Sequence, residues 1–331
     1  MSSANMSEPL SVLIVGCGDI AGGYDERGSS GPVLTHASAY IRDPRFRIRA
    51  CVEPDPLRRA AFMEYWGVEN GYQDLQTCLA SEGCFDVASL CLPTALHGEA
   101  LEVLLAAKIR LVFAEKPLTG NAELSHRIVD AYEAAGCSLA VNYSRRWDRR
   151  IGKLKDEIAA GEWGSVQAIN GLYAKGLFNN ASHFFDLLHS LIGPLVPRAV
   201  LGRVDDGRTE DPTLSVFLES EIGTPVILTG VHGGYFFPFE IDIVMEKGRI
   251  TLEDLGGKLR CRRVSPHPLY VHQPTLDDGT WEDTKLAEAL VVAVDNIFHH
   301  LASGAELLST GRSVLAVEDI CSDILKLAVV K

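Results

Sequence analysis

The sequence predicts an α/β chain in two parts. Residues 1–145 read as an open parallel sheet with helices between the strands, and residues 146–331 as an α+β domain with a mostly antiparallel open sheet. Three observations carry this. Short apolar, β-branched runs alternate with helix-length amphipathic stretches as far as Tyr143. From Val200 to residue 271 strand-like text continues without helices. A length of 331 residues amounts to roughly two domains at about 150 residues each.

SVLIVG (11–16) is a compact apolar run closed by glycine, the pattern of a strand buried on both faces. FRIRACVE (46–53), FDVASLCL (85–92), IRLVFAE (109–115) and CSLAVNY (137–143) repeat it. Between them HASAYIRD, PLRRAAFMEYWG, ALHGEALEVLLAAK and AELSHRIVDAYEAAG read as helices, the last two ending at a Lys and a Gly as helix C-termini do. Strands separated by helices of this length pair in parallel through right-handed crossovers.

Beyond Tyr143 the pattern changes. RRWDRRIGKLKDEIAAGEWG reads as a polar amphipathic helix, SVQAINGLYAK as a strand, and NNASHFFDLLHSLIG as a helix stopped at Gly193-Pro194. TLSVFLESE, TPVILTGVHGG, FEIDIVMEK, GRITLEDL and KLRCRRV follow as strands, with hairpin turns at 247–248 and 256–257, which predicts an antiparallel meander. Helices at about 283–303 and 313–330 close the chain and can pack back on the first domain.

Composition narrows the function classes. Thirty-one Lys and Arg against 44 Asp and Glu give a net charge of −13, which argues against nucleic-acid or anionic-membrane partners. The eight cysteines are scattered without a C-x-x-C pair, and a domain of this size needs no disulfide framework. The first ten residues lack the basic start and apolar stretch of a signal peptide, and no apolar run reaches the ~18 residues of a membrane span. A soluble cytoplasmic protein is expected. No cluster has zinc-ligand spacing, so no metal is expected.

The first strand runs into Gly16-Cys17-Gly18-Asp19-Ile20-Ala21-Gly22, in which Ala21 takes the third small position of a G-x-G-x-x-G/A turn. Such a turn lets the backbone approach a pyrophosphate at a helix N-terminus. The acid that would receive the ribose hydroxyls lies about 20 residues on in that pattern. Glu53 is 31 residues beyond Gly22, and removing the 12-residue loop-like segment 23–34 leaves 19. A carboxylate there accepts from two ribose hydroxyls and repels a 2′-phosphate, so NAD is favoured, with NADP kept as the alternative by Arg58 and Arg59.

Ala114-Glu115-Lys116-Pro117 ends a strand at the carboxyl edge of the sheet. Together with SLCLPTALH (89–97), NYSRRW (142–147) and a His-bearing helix in the second half, it makes the chain resemble the Gfo/Idh/MocA family over its whole length. The resemblance implies a Rossmann dinucleotide-binding domain followed by a substrate-binding domain whose open sheet forms a homodimer or homotetramer. It places Gly16, Gly18, Asp19, Ile20, Ala21 and Glu53 at the cofactor. Pro93, Thr94 and His97 match the segment flanking the nicotinamide, and Glu115, Lys116 and Pro117 match the signature whose lysine contacts substrate and cofactor. The family's Asp-x-x-x-His-x-x-Asp helix reads Asn179, His183 and Asp186 here, with Asn179 standing where the catalytic aspartate often is.

Spacings of four and three let Asn179, His183 and Asp186 share one helical face. An alcohol that loses a hydride must also lose a proton, and His183, with a reference pKa of about 6.5, suits that task, whereas Asn179 does not. Lys116 either stabilises developing charge on the oxygen or acts as the base if desolvated. Asn142, Arg146 and Trp147 either line the substrate cleft or begin the next helix, and Tyr173 and Lys175 precede the His183 helix as further substrate candidates. The expected activity is NAD(P)-dependent alcohol–ketone interconversion on a sugar, polyol or nucleotide sugar. Two other readings stay open: an NAD-dependent glycoside hydrolase, and a sugar or NAD sensor without catalysis.

Overall fold

Residues 8–26, 28, 31–270 and 272–329 are described by a computed structural model. The reading of the N-terminal segment falls largely on residues 1–7, outside the described residues, as do three positions of the 23–34 loop. The chain divides into two compact units. One takes the described residues to Tyr143 together with Ala287–Val314, and the other takes Ser144–Leu286 together with the described residues from Leu315.

In the first unit the strands are β1 (Leu10–Val15), β2 (Phe46–Val52), β3 (Asn70–Tyr72), β4 (Val87–Leu90), β5 (Leu111–Ala114) and β6 (Ser138–Val141). They form one parallel sheet in the order β3-β2-β1-β4-β5-β6. The chain reverses direction across the sheet between β1 and β4, the place where open α/β sheets bind ligands. β4 and β5 are buried at every position, as apolar runs covered on both faces must be.

Helices α1 (His36–Ile41), α2 (Pro56–Trp66), α3 (Leu75–Glu82), α4 (His97–Ala106) and α5 (Ala122–Ala135) connect these strands. Local chemistry sets their ends. Asp55 caps α2 by accepting from the Leu57 and Arg58 N–H groups, and Pro56 fills the first position. Asn121 caps α5, which stops at Gly136 in the left-handed conformation. α8 (Ala289–Ser303) belongs to this unit, where Phe298 packs edge-on against Phe46 and Asp295 accepts from Arg45 at 2.8 Å. β3 and α3 escape the apolar-run reading because a three-residue strand and a short, weakly patterned helix carry too little periodicity.

The second unit holds α6 (Arg149–Ala159), β7 (Val166–Tyr173), α7 (Ser182–Ile192), β8 (Leu195–Arg203), β9 (Leu214–Ser220), β10 (Pro225–Gly230), β11 (Phe239–Met245), β12 (Gly248–Glu253), β13 (Lys258–Pro266), β14 (Pro274–Leu276) and β15 (Thr280–Asp283). The helix α9 (Gly311–Val329) begins in the first unit and continues in the second. The nine-stranded sheet runs β14-β13-β12-β11-β7-β10-β9-β8, with β15 beside β13. It is antiparallel except for the β10–β7 pair. The expected uninterrupted meander is thus corrected: β7 inserts between β10 and β11 at the centre of the sheet.

β9 and β11 alternate strictly between buried and half-buried positions, so one face of the sheet carries the core. On that face Phe184 of α7 lies 3.7 Å from the Phe239 ring and edge-on to Tyr173 at 6.3 Å. Aromatic pairs of this kind add about 0.5–1.5 kcal/mol each beyond area burial. Among the described residues no helix is long and apolar enough to cross a membrane.

Candidate cofactor and catalytic site

The glycine turn sits at the direction switch of the first sheet. Gly16 donates to the Val52 carbonyl at 2.8 Å, and Cys91, just past β4, donates to Val15. Gly16 has φ +90°, and a Cβ there would lie 2.8 Å from the Cys91 carbonyl oxygen, so the fold itself requires glycine. Gly18 differs: its φ is −79° and a Cβ would meet nothing within 4 Å. The open space above Gly18 is the kind of cradle a pyrophosphate fills. The expected helix after the turn is reduced to one wide turn, Asp19–Gly23, and the true helix α1 starts only at His36. Ala21 donates back to Gly18 O, whereas the first N–H groups of such a turn, on Asp19 and Ile20, have no intrahelical acceptor and are the donors an anion would use.

Glu53 follows β2 and is nearly buried. One carboxylate oxygen accepts the Cys17 N–H at 3.1 Å and the other accepts the Asp55 N–H at 3.1 Å, with Arg58 at 3.6 Å. This binds the acid to the middle residue of the glycine turn, and each oxygen retains a second lone pair for a ribose hydroxyl. The residues present therefore fit a nicotinamide dinucleotide: an open glycine, the first donors of a helical turn, and an acid fixed beside them.

Pro93 and Thr94 lie in a short turn leading into α4. His97, expected beside the cofactor, ties two loops together. Its Nδ1 lies 2.9 Å from Leu118 O and its Nε2 2.8 Å from Leu92 O, which commits the ring to the two loops flanking the site. Glu115 is likewise turned inward, accepting from His36 Nε2 at 2.9 Å and Asn142 Nδ2 at 2.7 Å. Burial pushes the Glu115 acid up, but His36, Asn142 and Lys116 together pull it below the usual carboxylate range. Asn142 thereby partners Glu115 through its amide nitrogen.

In the second unit Lys175 (φ +66°) stands with its ammonium 4.3 Å over the Phe237 ring, and its carbonyl accepts from Asn179 Nδ2 at 3.0 Å. Asn179 lies in a wide turn, Leu177–Ala181, held by Asp211, whose carboxylate accepts from the Phe178 and Asn179 N–H groups at 2.8 and 3.0 Å. That turn runs directly into α7, with Ala181 and Ser182 both in helical conformation. Asn179 is exposed, His183 half-buried, and Asp186 only 1% exposed. Asp186 accepts from Arg146 Nε at 2.7 Å, a pair that occupies two residues expected at the substrate. Burial raises the Asp186 acid to about 6 against the pull of Arg146 and Arg145.

Two further candidates are deeply buried. Tyr173 is fully buried in β7, with its hydroxyl donating to Leu214 O at 2.7 Å and accepting from Leu214 N at 2.8 Å. Trp147 is 1% exposed. The Tyr173 hydroxyl is thus committed to the sheet backbone. Sequence reasoning missed His36, whose place in a polar pocket arises from contacts 53 and 79 residues away in the chain. It also set aside the loop after β10, where Tyr235, Phe236 and Phe237 are exposed side by side and Tyr235 packs on His232 at 5.0 Å. Three consecutive exposed aromatics are a signal legible in the sequence alone.

Residues 10–143 match the family described as an oxidoreductase family with an NAD-binding Rossmann fold, Gfo/Idh/MocA. Inositol 2-dehydrogenase of Corynebacterium glutamicum (strain R) is 26% identical over 278 residues, 78% of this chain and 77% of that protein. The WlbA dehydrogenase from Bordetella pertussis, solved in complex with NADH and UDP-GlcNAcA, superposes with a TM-score of 0.74 at 20% identity over 97% of this chain and 96% of its own. A levoglucosan dehydrogenase in complex with NADH and levoglucosan does so with a TM-score of 0.79 at 18% identity, covering 97% of each chain.

Proposed function

We propose that this chain, whose residues 10–143 belong to the Gfo/Idh/MocA oxidoreductases with an NAD-binding Rossmann fold, interconverts an alcohol and a ketone on a sugar, polyol or nucleotide sugar. The observation that carries the reading is the glycine turn at the strand switch with Glu53 hydrogen-bonded into it. The relatives' own substrates, inositol, levoglucosan and a nucleotide sugar, support the substrate class. A bound nicotinamide dinucleotide supplies the hydride acceptor or donor.

The protein's residues do the rest. Glu53 receives the adenosine ribose and favours NAD over NADP, since a 2′-phosphate would meet a carboxylate fixed by two N–H groups. Lys116 stabilises charge on the reacting oxygen, and His183 takes or returns its proton. Asn179 and Lys175 orient substrate hydroxyls, tasks that need no proton acceptor. The first unit thus serves the cofactor, and the second serves the substrate and assembly. The half-exposed face of the nine-stranded sheet supports a homodimer or homotetramer. Eight unpaired cysteines support a reducing, cytoplasmic setting.

The test mixes protein with NAD or NADP and a panel of sugars, polyols and nucleotide sugars while 340 nm absorbance is followed. One substrate giving net reduction, with NAD preferred, upholds the proposal, and His183→Ala should lower kcat at least a hundredfold. Aglycone release without net NADH, or binding of cofactor and sugar without turnover, replaces it with a hydrolase or a sensor.

A further inference from the structure

We infer that His36 is a positioning residue for this reaction: acting through Glu115, it keeps a carboxylate beside Lys116 so that the lysine works as an ammonium donor and not as the base. The inference rests on the dehydrogenase reading above, in which Lys116 meets the reacting oxygen.

The geometry is a buried chain of polar groups inside the first unit. Tyr40 Oη lies 2.9 Å from Ser89 Oγ, and Ser89 Oγ lies 3.1 Å from His36 Nδ1. His36 Nε2 and Asn142 Nδ2 then converge on one oxygen of Glu115 at 2.9 and 2.7 Å. His36, Tyr40 and Ser89 have no exposed surface, and the imidazole packs on Phe113 at 4.7 Å. A histidine placed this deep must satisfy both ring nitrogens or pay desolvation for nothing.

One orientation of the protons satisfies every group. The Tyr40 phenol donates to Ser89, the Ser89 hydroxyl to His36 Nδ1, and His36 Nε2–H to an ionised Glu115, which also accepts from Asn142. Reversing the chain would have a protonated Glu115 donate to His36, and His36 to Ser89. Ser89 would then donate to Tyr40, whose buried proton is left with no acceptor among the described residues. The donors therefore all point toward a carboxylate, and hydrogen bonds to the charged form favour it. The other ionisable groups that act on Glu115 through charge are its chain neighbour Lys116, which favours the carboxylate, and the Cys91 thiol, which burial and Glu115 hold protonated. An ionised neighbour favours the ammonium form of Lys116.

The same arrangement gives the interrupted first helix a purpose. Asp25 accepts from the Leu34 and Thr35 N–H groups at 2.8 and 2.7 Å and from the Thr35 hydroxyl at 2.8 Å, pinning the end of the inserted loop. Thr35 in turn caps α1 on the Ser38 N–H. His36 is the next residue, delivered at a fixed place under the sheet edge.

The experiment compares wild type with His36→Leu, His36→Gln and Glu115→Gln. Lys116 is observed directly by NMR of ε-13C-lysine in the cofactor-free protein. kcat and KM for the active sugar are measured against pH, with NADH titration as a binding control. The Lys116 midpoint should move down by at least half a pH unit in His36→Leu and further in Glu115→Gln. The alkaline limb of kcat should follow it, with kcat down at least tenfold, KM and NADH affinity within about twofold, and His36→Gln restored because its amide still donates. An unmoved Lys116 midpoint in both His36→Leu and Glu115→Gln overturns the inference, as does a His36→Gln protein no better than His36→Leu. A shifted midpoint in a protein that oxidises no sugar leaves the charge coupling standing and removes the dehydrogenase reading instead.

Discussion

Replacing the two turn glycines singly by alanine separates what the fold needs from what the cofactor needs. At Gly16 the backbone has φ +90°, which costs an L-residue about 1–2 kcal/mol, and the new methyl would stand 2.8 Å from the Cys91 carbonyl oxygen, an overpacking cost of about 1–3 kcal/mol. Gly16→Ala should therefore lose about 2–5 kcal/mol of stability, a large part of a typical domain's total. At Gly18 the backbone is extended at φ −79°, ψ −166°, and the methyl meets nothing. Gly18→Ala should be as stable as wild type or gain about 0.4–1 kcal/mol from a less flexible unfolded chain. The methyl then occupies the space through which a pyrophosphate would approach, so NADH affinity should fall tenfold or more, about 1.4 kcal/mol. Urea unfolding gives the first pair of numbers and NADH fluorescence titration the second. A Gly18→Ala protein that binds NADH like wild type refutes the assignment of this turn to the pyrophosphate, and a Gly16→Ala protein with an unchanged unfolding midpoint refutes the steric argument.

Tyr173→Phe strands a buried carbonyl and N–H of Leu214, so unfolding free energy should drop about 1–3 kcal/mol while KM for the sugar stays put; a raised KM at unchanged stability would return Tyr173 to the substrate. Asp186 gives a signed pH dependence. Its acid is raised from 3.8 to about 6 in the folded protein, so the native state holds the proton more tightly and stability falls as pH rises from about 4 to 6. Asp186→Asn should lose that slope in urea titrations at pH 4, 5, 6 and 7. Equal slopes in the two proteins would show that Arg146 neutralises the burial cost completely.

The parts of this chain visible in the sequence are those set by short-range periodicity. The strands β1, β2, β4, β5 and β6 are apolar runs, Gly136 marks the end of α5, and Gly16 sits where a strand must turn sharply. What the sequence hides depends on distance along the chain. A spacing of four and three made Asn179, His183 and Asp186 a plausible common face. Asp211, 32 residues away, holds Asn179 in a wide turn that leads into α7, and Arg146, 40 residues away, pairs with the buried Asp186. Tyr173 ends a strand near candidate site residues, but which side of the sheet it faces is fixed by pairing with Phe239 and Val231, which no local pattern reveals. His36 looked like an ordinary helix residue because its partners, Ser89 and Glu115, come from two other strand ends.

The short first turn and the asparagine at 179 have different physical consequences. Shortening the first helix to a single turn costs the phosphate site little, because the favourable effect of a helix on an anion comes from the N–H groups of the first turn and dies away beyond it. Thr35, held by Asp25, then leads directly into His36, whose ring reaches Glu115. Asparagine at 179 is the more consequential change, since an amide orients a hydroxyl but takes no proton. If Glu115 also holds Lys116 as an ammonium, proton acceptance during alcohol oxidation moves to a group that is neutral near pH 7. His183, half-buried at the first turn of α7, is the acceptor proposed above, and its removal should cost more in kcat than the removal of Asn179.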